Sequence, residues 1–420
     1  MTALCLAVLL AANAGDGRPQ GRPLHPPEFI AEILVHGNHL TSDEEIVRMS
    51  GLTIGAPLEA GTIELTRRRL RAARFDDVDV LKRMASIADP SKVVVVIVVN
   101  EGPVRIDVPK DPSLPIRVLR RRGLTNFMYF PILDGEDGYG LTYGVRLAYV
   151  NVTGRRGRIS VPLSWGGTKS AGVEFDRTFN GPLPRVILGA AVDRRHNPAF
   201  DEEDGRRRVW LRAERTVGSL RLGSTIGWQG VRFADFDDRT RHAGVDATVD
   251  TRLDPVLPRN AVFASASWTT FEFQRGERLT RTRFDGRGYL GLIGQSVLVS
   301  RVVREDASDA QTPYFQSLLG GWSNLRGFEA GSFTGDTMVA GSLELRLPIS
   351  SPLQVAKLGL SGFVDAGTAY RKGERLGDRP FHTGIGGGVW AAITVVQFGL
   401  SVAHGRGAGT RVHFGVAGTF

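Results

Sequence analysis

Residues 396–420 read VQFGLSVAHGRGAGTRVHFGVAGTF. Val396, Phe398, Leu400 and Val402 fall on one face of an extended chain, with Gln397, Gly399, Ser401 and Ala403 on the other. After a glycine-rich turn the same period of two resumes. Val412, Phe414, Val416 and Phe420 lie opposite Arg411, His413, Ala417 and Thr419. Alternation of this kind predicts two strands joined as a hairpin, apolar on one side and polar on the other. The pattern recurs upstream. Val209, Leu211 and Ala213 alternate with Arg208, Trp210, Arg212 and Glu214, and Val245, Ala247 and Val249 with Asp246, Thr248 and Asp250. About 16 such segments begin near residues 124, 138, 155, 168, 183, 206, 219, 241, 261, 280, 294, 337, 355, 381, 394 and 411.

A soluble sandwich also alternates, with one face packed and the other solvated. Three features favour a membrane barrel. The segments are long enough for a tilted bilayer crossing of about 9–11 residues. Their apolar positions are often only Ala, Val or Gly, too small for a dense sandwich core. Their polar face carries arginines and acids, as a water-filled lumen would. The even number of strands fits a bacterial barrel. A helical membrane protein is excluded, because the longest apolar run, Val93 to Val99, is far short of about 20 residues. Mean hydropathy is only −0.10, as expected where lipid-facing and lumen-facing residues average within every strand. Glycine supplies 52 of 420 residues, above the usual roughly 7%.

The N-terminal stretch MTALCLAVLLAANA predicts a secretory signal peptide over residues 1–14, ending in the small-x-small pattern Ala12-Asn13-Ala14. Its removal takes with it Cys5, the single cysteine, so the mature chain has no disulfide to rely on. Residues 15–27 read as a Gly/Pro-rich linker. A small unit follows, in the order strand, helix, helix, strand, strand. Phe29 to Val35 is its first strand and Thr41-Ser42-Asp43-Glu44-Glu45 caps a short helix ending near Gly51. A second helix runs from Gly61 to Arg74, and strands cover Phe75 to Lys82 and Lys92 to Asn100, the last buried on both faces. The net charge of +9 suggests an acidic partner. The arginines are scattered along strands, however, apart from the clusters Arg67-Arg68-Arg69-Arg71 and Arg117-Arg120-Arg121-Arg122. No aromatic-interleaved basic patch marks a nucleic-acid site.

The pieces IAEILVHGNHLT, RLRAARFDDVDV and VVVVIVVNEGP, in that order, resemble a POTRA (polypeptide-transport-associated) domain over residues 28–105. The long loop 304–336 contains Gly320-Gly321-Trp322-Ser323-Asn324-Leu325-Arg326-Gly327-Phe328, and Phe363-Val364-Asp365-Ala366-Gly367 follows on a later strand. With DTRLDPVLPRNA at 250–261 and the terminal Phe420, these resemble the barrel of the outer-membrane assembly factors of the BamA/TamA type, also called the bacterial surface antigen family. The resemblance implies a small α+β POTRA domain, a linker over 106–123, and a 16-stranded antiparallel transmembrane β-barrel over 124–420. It implies a non-enzymatic protein of a Gram-negative outer membrane, with the POTRA domain in the periplasm. Unfolded or partly folded client polypeptides, outer-membrane lipid and periplasmic accessory proteins are the implied partners, and no cofactor, metal or nucleic acid is. A single POTRA domain, where the general assembly factors carry several, points to a dedicated transporter or narrow clients.

Strand parity places Glu344 and Asp365 on the lumen face, where Arg326 at the loop tip can bridge them, with Gly327 and Phe328 beside it. The seam between the first and last barrel strands reads as weak, because Asn126 and Pro131 fall in one and Gly415 and Gly418 in the other, near Phe420. In the small domain the edge segment with Phe75, Val78 and Val80 is expected to accept a client strand through its backbone. The acidic loops Asp201–Asp204 and Asp235–Asp238 lack the spacing of a calcium loop, and no GxSxG serine accompanies His196, His242, His382 or His404. The competing reading is a passive porin or a structural surface barrel.

Overall fold

The computed structural model describes residues 27–418 apart from 39–40, 60, 74, 76–77, 100–103, 108–116, 121–126, 151, 153–156, 180–184, 255, 351–355 and 394–395. The signal peptide, Asn126 and Phe420 therefore lie outside the described residues. The chain opens with β1 (Phe29–His36), α1 (Asp43–Ser50), α2 (Thr62–Ala73), β2 (Val78–Met84) and β3 (Lys92–Val99). Ser42 caps α1 by accepting the Glu45 N–H at 3.3 Å, and Gly51 ends it in the left-handed region with φ 72°. The sheet order is β1-β3-β2, so the Val-rich β3 takes the centre. Ile30, Ile46, Ile63, Leu70, Phe75, Val78, Val80, Val95, Ile97 and Val99 form one buried core between sheet and helices.

A two-stranded piece, β4 (Val104–Asp107) with β5 (Arg117–Arg120), leads to the barrel. The barrel is closed from β6 (Phe127–Glu136), β7 (Gly140–Val150), β8 (Gly157–Gly166), β9 (Thr168–Thr178), β10 (Arg185–Asn197), β11 (Glu202–Val217), β12 (Leu220–Phe233) and β13 (Phe236–Asp250). β14 (Ala261–Phe273), β15 (Arg278–Gly291) and β16 (Val297–Ala307) continue it. The loop to the next barrel strand carries the short pair β17 (Ser317–Leu319) and β18 (Phe333–Gly335). β19 (Thr337–Ser350), β20 (Ala356–Tyr370), β21 (His382–Ile393), β22 (Val396–Gly405) and β23 (Gly409–Gly418) complete it, and β23 meets β6. The 16 segments expected from alternation are the 16 barrel strands.

Strand parity decides which way the side chains point. Leu188, Val209, Ile226, Val245, Trp268, Val364, Ile385 and Val412 stand exposed on the outer face. The inner face is polar and internally neutralised. Arg158 reaches Asp176 at 2.9 Å, Arg185 reaches Asp176 at 2.8 Å and Glu214 at 2.7 Å, and Arg212 reaches Glu214 at 3.1 Å and Asp246 at 2.6 Å. This ladder crosses six strands and holds several of the arginines that give the chain its charge.

The small domain rests on one mouth of the barrel. The Lys82 N–H donates to the Leu253 carbonyl at 3.4 Å, Arg83 pairs with Asp254, and Gln295 Nε2 donates to the Ser86 carbonyl at 2.9 Å. The turn 251–260 folds inward under the barrel. Val256 is buried and its carbonyl accepts from Gln397 Nε2 at 2.7 Å. Asp254 caps the Val256 and Leu257 N–H groups, and burial holds its carboxyl above the usual carboxylate range despite Arg83.

Candidate functional site

The loop between β16 and β19 turns back into the barrel instead of standing away from it. Gly320, Gly321 and Gly327 take positive φ of 122°, 87° and 97°, which a chain folding this tightly needs. Asn324 holds the bend by accepting the Gly320 N–H at 2.8 Å and donating to the Leu318 carbonyl at 2.9 Å. Leu319, Leu325 and Phe328 are buried against Val303, Met338 and Ala340 of the wall. Phe328 packs edge-on to Phe333, which stacks on His382 at 3.7 Å.

The tip presents Arg326, whose side chain is 8% exposed. Its Nε and Nη2 donate to the two oxygens of Asp365, both at 2.8 Å, and its backbone N–H donates to the same carboxylate at 3.0 Å. Nη1 donates to Glu344 at 2.7 Å, and Nη2 also reaches Ser342 Oγ at 3.1 Å. Ser342 donates to Asp365 at 2.7 Å and Arg346 donates to Glu344 at 2.7 Å. The guanidinium carbon stands 3.3 Å from the centre of the Phe363 ring, a cation–π contact in a dry setting. The structure thus brings together Arg326, Gly327, Phe328, Glu344 and Asp365.

The same tip also grips the last hairpin, a contact that strand alternation does not reveal. The Gly327 N–H donates to His413 Nε2 at 2.8 Å, and His413 Nδ1 meets Asp137 Oδ2 at 2.6 Å. With Nε2 accepting, the ring donates from Nδ1 to the carboxylate. His413 is 1% exposed on β23, whereas Asp137 lies in the turn after β6. Trp322 lies flat over Gly399 and Gly415, register partners on β22 and β23; a Cβ at either would stand 2.2 Å from the indole. Ser323 N–H donates to Glu136 of β6 at 2.8 Å. Alternation places His413 on the lumen face, but its partners come from the folded loop and from the turn after β6.

Among the described residues, β23 pairs with β6 at Gly415–Glu136, Val416–Gly135 and Ala417–Asp134, and the Asp137 N–H donates to the Phe414 carbonyl at 3.3 Å. The neighbouring β22/β23 ladder runs unbroken from Val396–Gly418 to Gly405–Gly409. Pro131, paired with Val145 on its other side, falls in the stretch of β6 that has no described β23 partner. Gly418 pairs with Val396 on β22. The expectation for Gly415 is only a weakened strand; its lack of a side chain also makes room for Trp322.

The edge of the small domain differs from expectation. Its strand starts at Val78, so Phe75 precedes it, and the side chains of Phe75, Val78 and Val80 are buried in the core of the domain. β2 is at the sheet edge, but three of its outer backbone groups already have partners. The Val80 N–H donates to Asp79 Oδ1 at 2.9 Å, the Val80 carbonyl accepts from Arg67 at 3.4 Å, and Lys82 is bound to Leu253.

Between the loop tip and the inward turn lies a cavity of about 360 Å³, lined by Arg301, Trp322, Arg326, Glu344 and Val256. No cluster of metal-ligating side chains occurs among the described residues.

Comparison with known proteins agrees with this architecture. Residues 169–420 match the Omp85 superfamily domain, and residues 29–102 match the surface antigen variable number repeat, the POTRA model. The fold is similar to BamA from Haemophilus ducreyi lacking POTRA domains 1–3, at 14% identity and a TM-score of 0.61, over 93% of this chain and 84% of that one. It is also similar to CdiB from Escherichia coli, at 11% identity and 0.52, over 97% and 93%. CdiB from Acinetobacter baumannii matches at 11% identity and 0.51, over 93% and 74%. No curated protein matches in sequence. The POTRA-like unit, the closed 16-stranded barrel and the match over most of that barrel make this chain a member of the Omp85 superfamily, an outer-membrane β-barrel protein.

Proposed function

We propose that this protein inserts or translocates polypeptides at the outer membrane, with the POTRA domain on the periplasmic side and no catalytic chemistry of its own. The observation that carries the reading is the seam between β23 and β6, which has three described pairs and is bridged from the lumen by the loop tip. A short ladder is the cheapest place to open a closed sheet, since few backbone hydrogen bonds are lost. The freed edges then present unpaired N–H and C=O groups to a client strand. The Arg326–Asp365–Glu344 cluster holds the loop, and through Gly327 and His413 the loop holds the seam. The small domain lies at the barrel mouth, where a client arrives. Addition of a strand to β2 first displaces Asp79, Arg67 and the turn at Leu253 from its outer edge.

Depleting the protein and profiling the outer-membrane and secreted proteins tests the proposal. Loss of one client identifies a dedicated transporter, and a broad loss of barrels identifies an assembly factor. An unchanged profile, with large steady conductance of the purified protein, identifies a passive pore and overturns the reading.

A further inference from the structure

The outer face of β10–β13 is graded along the strands, and register makes the grading explicit. One row across the four strands is Leu188–Leu211–Ile226–Ala243. Two residues further from the POTRA domain the row is Ala190–Val209–Trp228–Arg241. The next is Val192–Arg207–Gly230–Arg239, and the next Arg194–Gly205–Arg232–Asp237. The face thus passes from wholly apolar, through a tryptophan, to arginine. A shallow groove of about 450 Å³ runs along it, bounded by Leu188, Val209, Leu211, Ile226, Trp228 and Arg241. Gly230 separates Arg207 from Arg239, and a Cβ there would press on the Trp228 ring at 3.2 Å. Two strand spacings set those arginine backbones about 10 Å apart.

The acids on the outer face of these strands and of β14 are already engaged. Glu203 pairs with Arg194 at 3.4 Å, Asp237 with Arg232 at 3.8 Å, and Glu272 with Arg278 at 3.3 Å. Arg207, Arg239 and Arg241 are exposed and make no ion pair among the described residues; Glu272, opposite Arg241 in register, is drawn to Arg278 instead. Three uncompensated guanidinium groups beside a tryptophan, at the upper end of an apolar groove on a membrane-facing wall, match an amphiphile with acyl chains and phosphate.

We propose that this face is a binding site for a phosphorylated glycolipid of the outer leaflet. Its acyl chain lies along Leu188, Leu211 and Ile226, and its phosphate is held by Arg207, Arg239 and Arg241. The site rests on the orientation proposed above, which cysteine labelling of the turn at 234–235 on intact cells tests separately. It does not depend on polypeptide handling.

The test uses the full chain in detergent, with diphosphorylated lipid A as the probe and quenching of Trp228 emission, assigned by W228F, as the readout. Each basic residue near a lipid phosphate contributes about fivefold, so R207Q is expected to weaken binding about fivefold and R207Q/R239Q/R241Q about a hundredfold. Arg215→Gln, on the outer face of β11 but at the end opposite Arg207, is expected to leave it unchanged. Equal binding by the triple variant, or of fully dephosphorylated lipid, overturns the proposal. Displacement by inorganic phosphate at the concentration of the lipid also overturns it, because that identifies a free-anion site.

Discussion

Arg326 makes contacts that only a planar guanidinium can make together: a fork onto Asp365, a third arm to Glu344 and a face on Phe363. Lysine keeps the charge and loses the fork. Arg326→Ala leaves two inward carboxylates with one fewer cation and is expected to destabilise the folded barrel by about 3–5 kcal/mol. Arg326→Lys should recover only part of that loss. Thermal melting of the purified barrel measures both, and equal melting of wild type and Lys variant counts against the fork. Trp322 gives an independent test at the same scale. Ala at Gly415 drives a Cβ into the indole, so Gly415→Ala alone should destabilise. Trp322→Ala removes the obstruction, so the double variant should lose less than the sum of the singles, a coupling that a double-mutant cycle reads directly. Additive losses would show that the glycine is not a seat for the ring.

At the scale of elements, the seam is the barrel ladder with the fewest described pairs, and Gly135 and Val416 face each other across it. Cysteines at these two positions, oxidised, should lock it and abolish client handling, with recovery on reduction. Full activity in the locked form would exclude opening at this seam. Hydrogen exchange should be faster at 127–133 of β6 than in β12, which is paired with a strand on both sides. Much of this level is legible in the amino-acid sequence, because a period of two reports which face a residue takes regardless of its partner. That is why alternation alone sets Glu344 and Asp365 inside the barrel, opposite Arg326. Partners that depend on tertiary folding leave no such trace. The role of His413 needs the loop above it and the first hairpin beside it. The edge of β2 is engaged by Arg67 from α2 and by a turn from the barrel, neither near it in the pattern. Gly415 is only half legible, because a missing side chain records space without naming what fills it.

For the whole molecule, the lumen has obstructions at two depths. The loop tip is held by Arg326 toward one end, and the turn 251–260 is held toward the other by Asp254, Arg83 and Gln397. Obstructions in series make a particular prediction about current. A path blocked twice stays blocked when either block is removed, so neither Arg326→Ala nor Asp254→Ala alone should convert the protein into an open pore. Asp254→Ala removes the caps on Val256 and Leu257 and the partner of Arg83, freeing the turn from its seat without touching the loop. The double variant should conduct steadily, and by far more than the sum of the two singles. Single-channel recording in planar bilayers of the wild type, both singles and the double measures this. Porin-sized current from Arg326→Ala alone would show that the turn is no barrier. A double variant as silent as the wild type would show that the ion-pair ladder and the remaining wall residues close the lumen by themselves. The expected superadditive current would assign separate closures to the loop and to the turn docked on the POTRA domain. A polypeptide passing through the lumen would then have to release both, whereas a strand joining the sheet at the seam would need only the loop to let go.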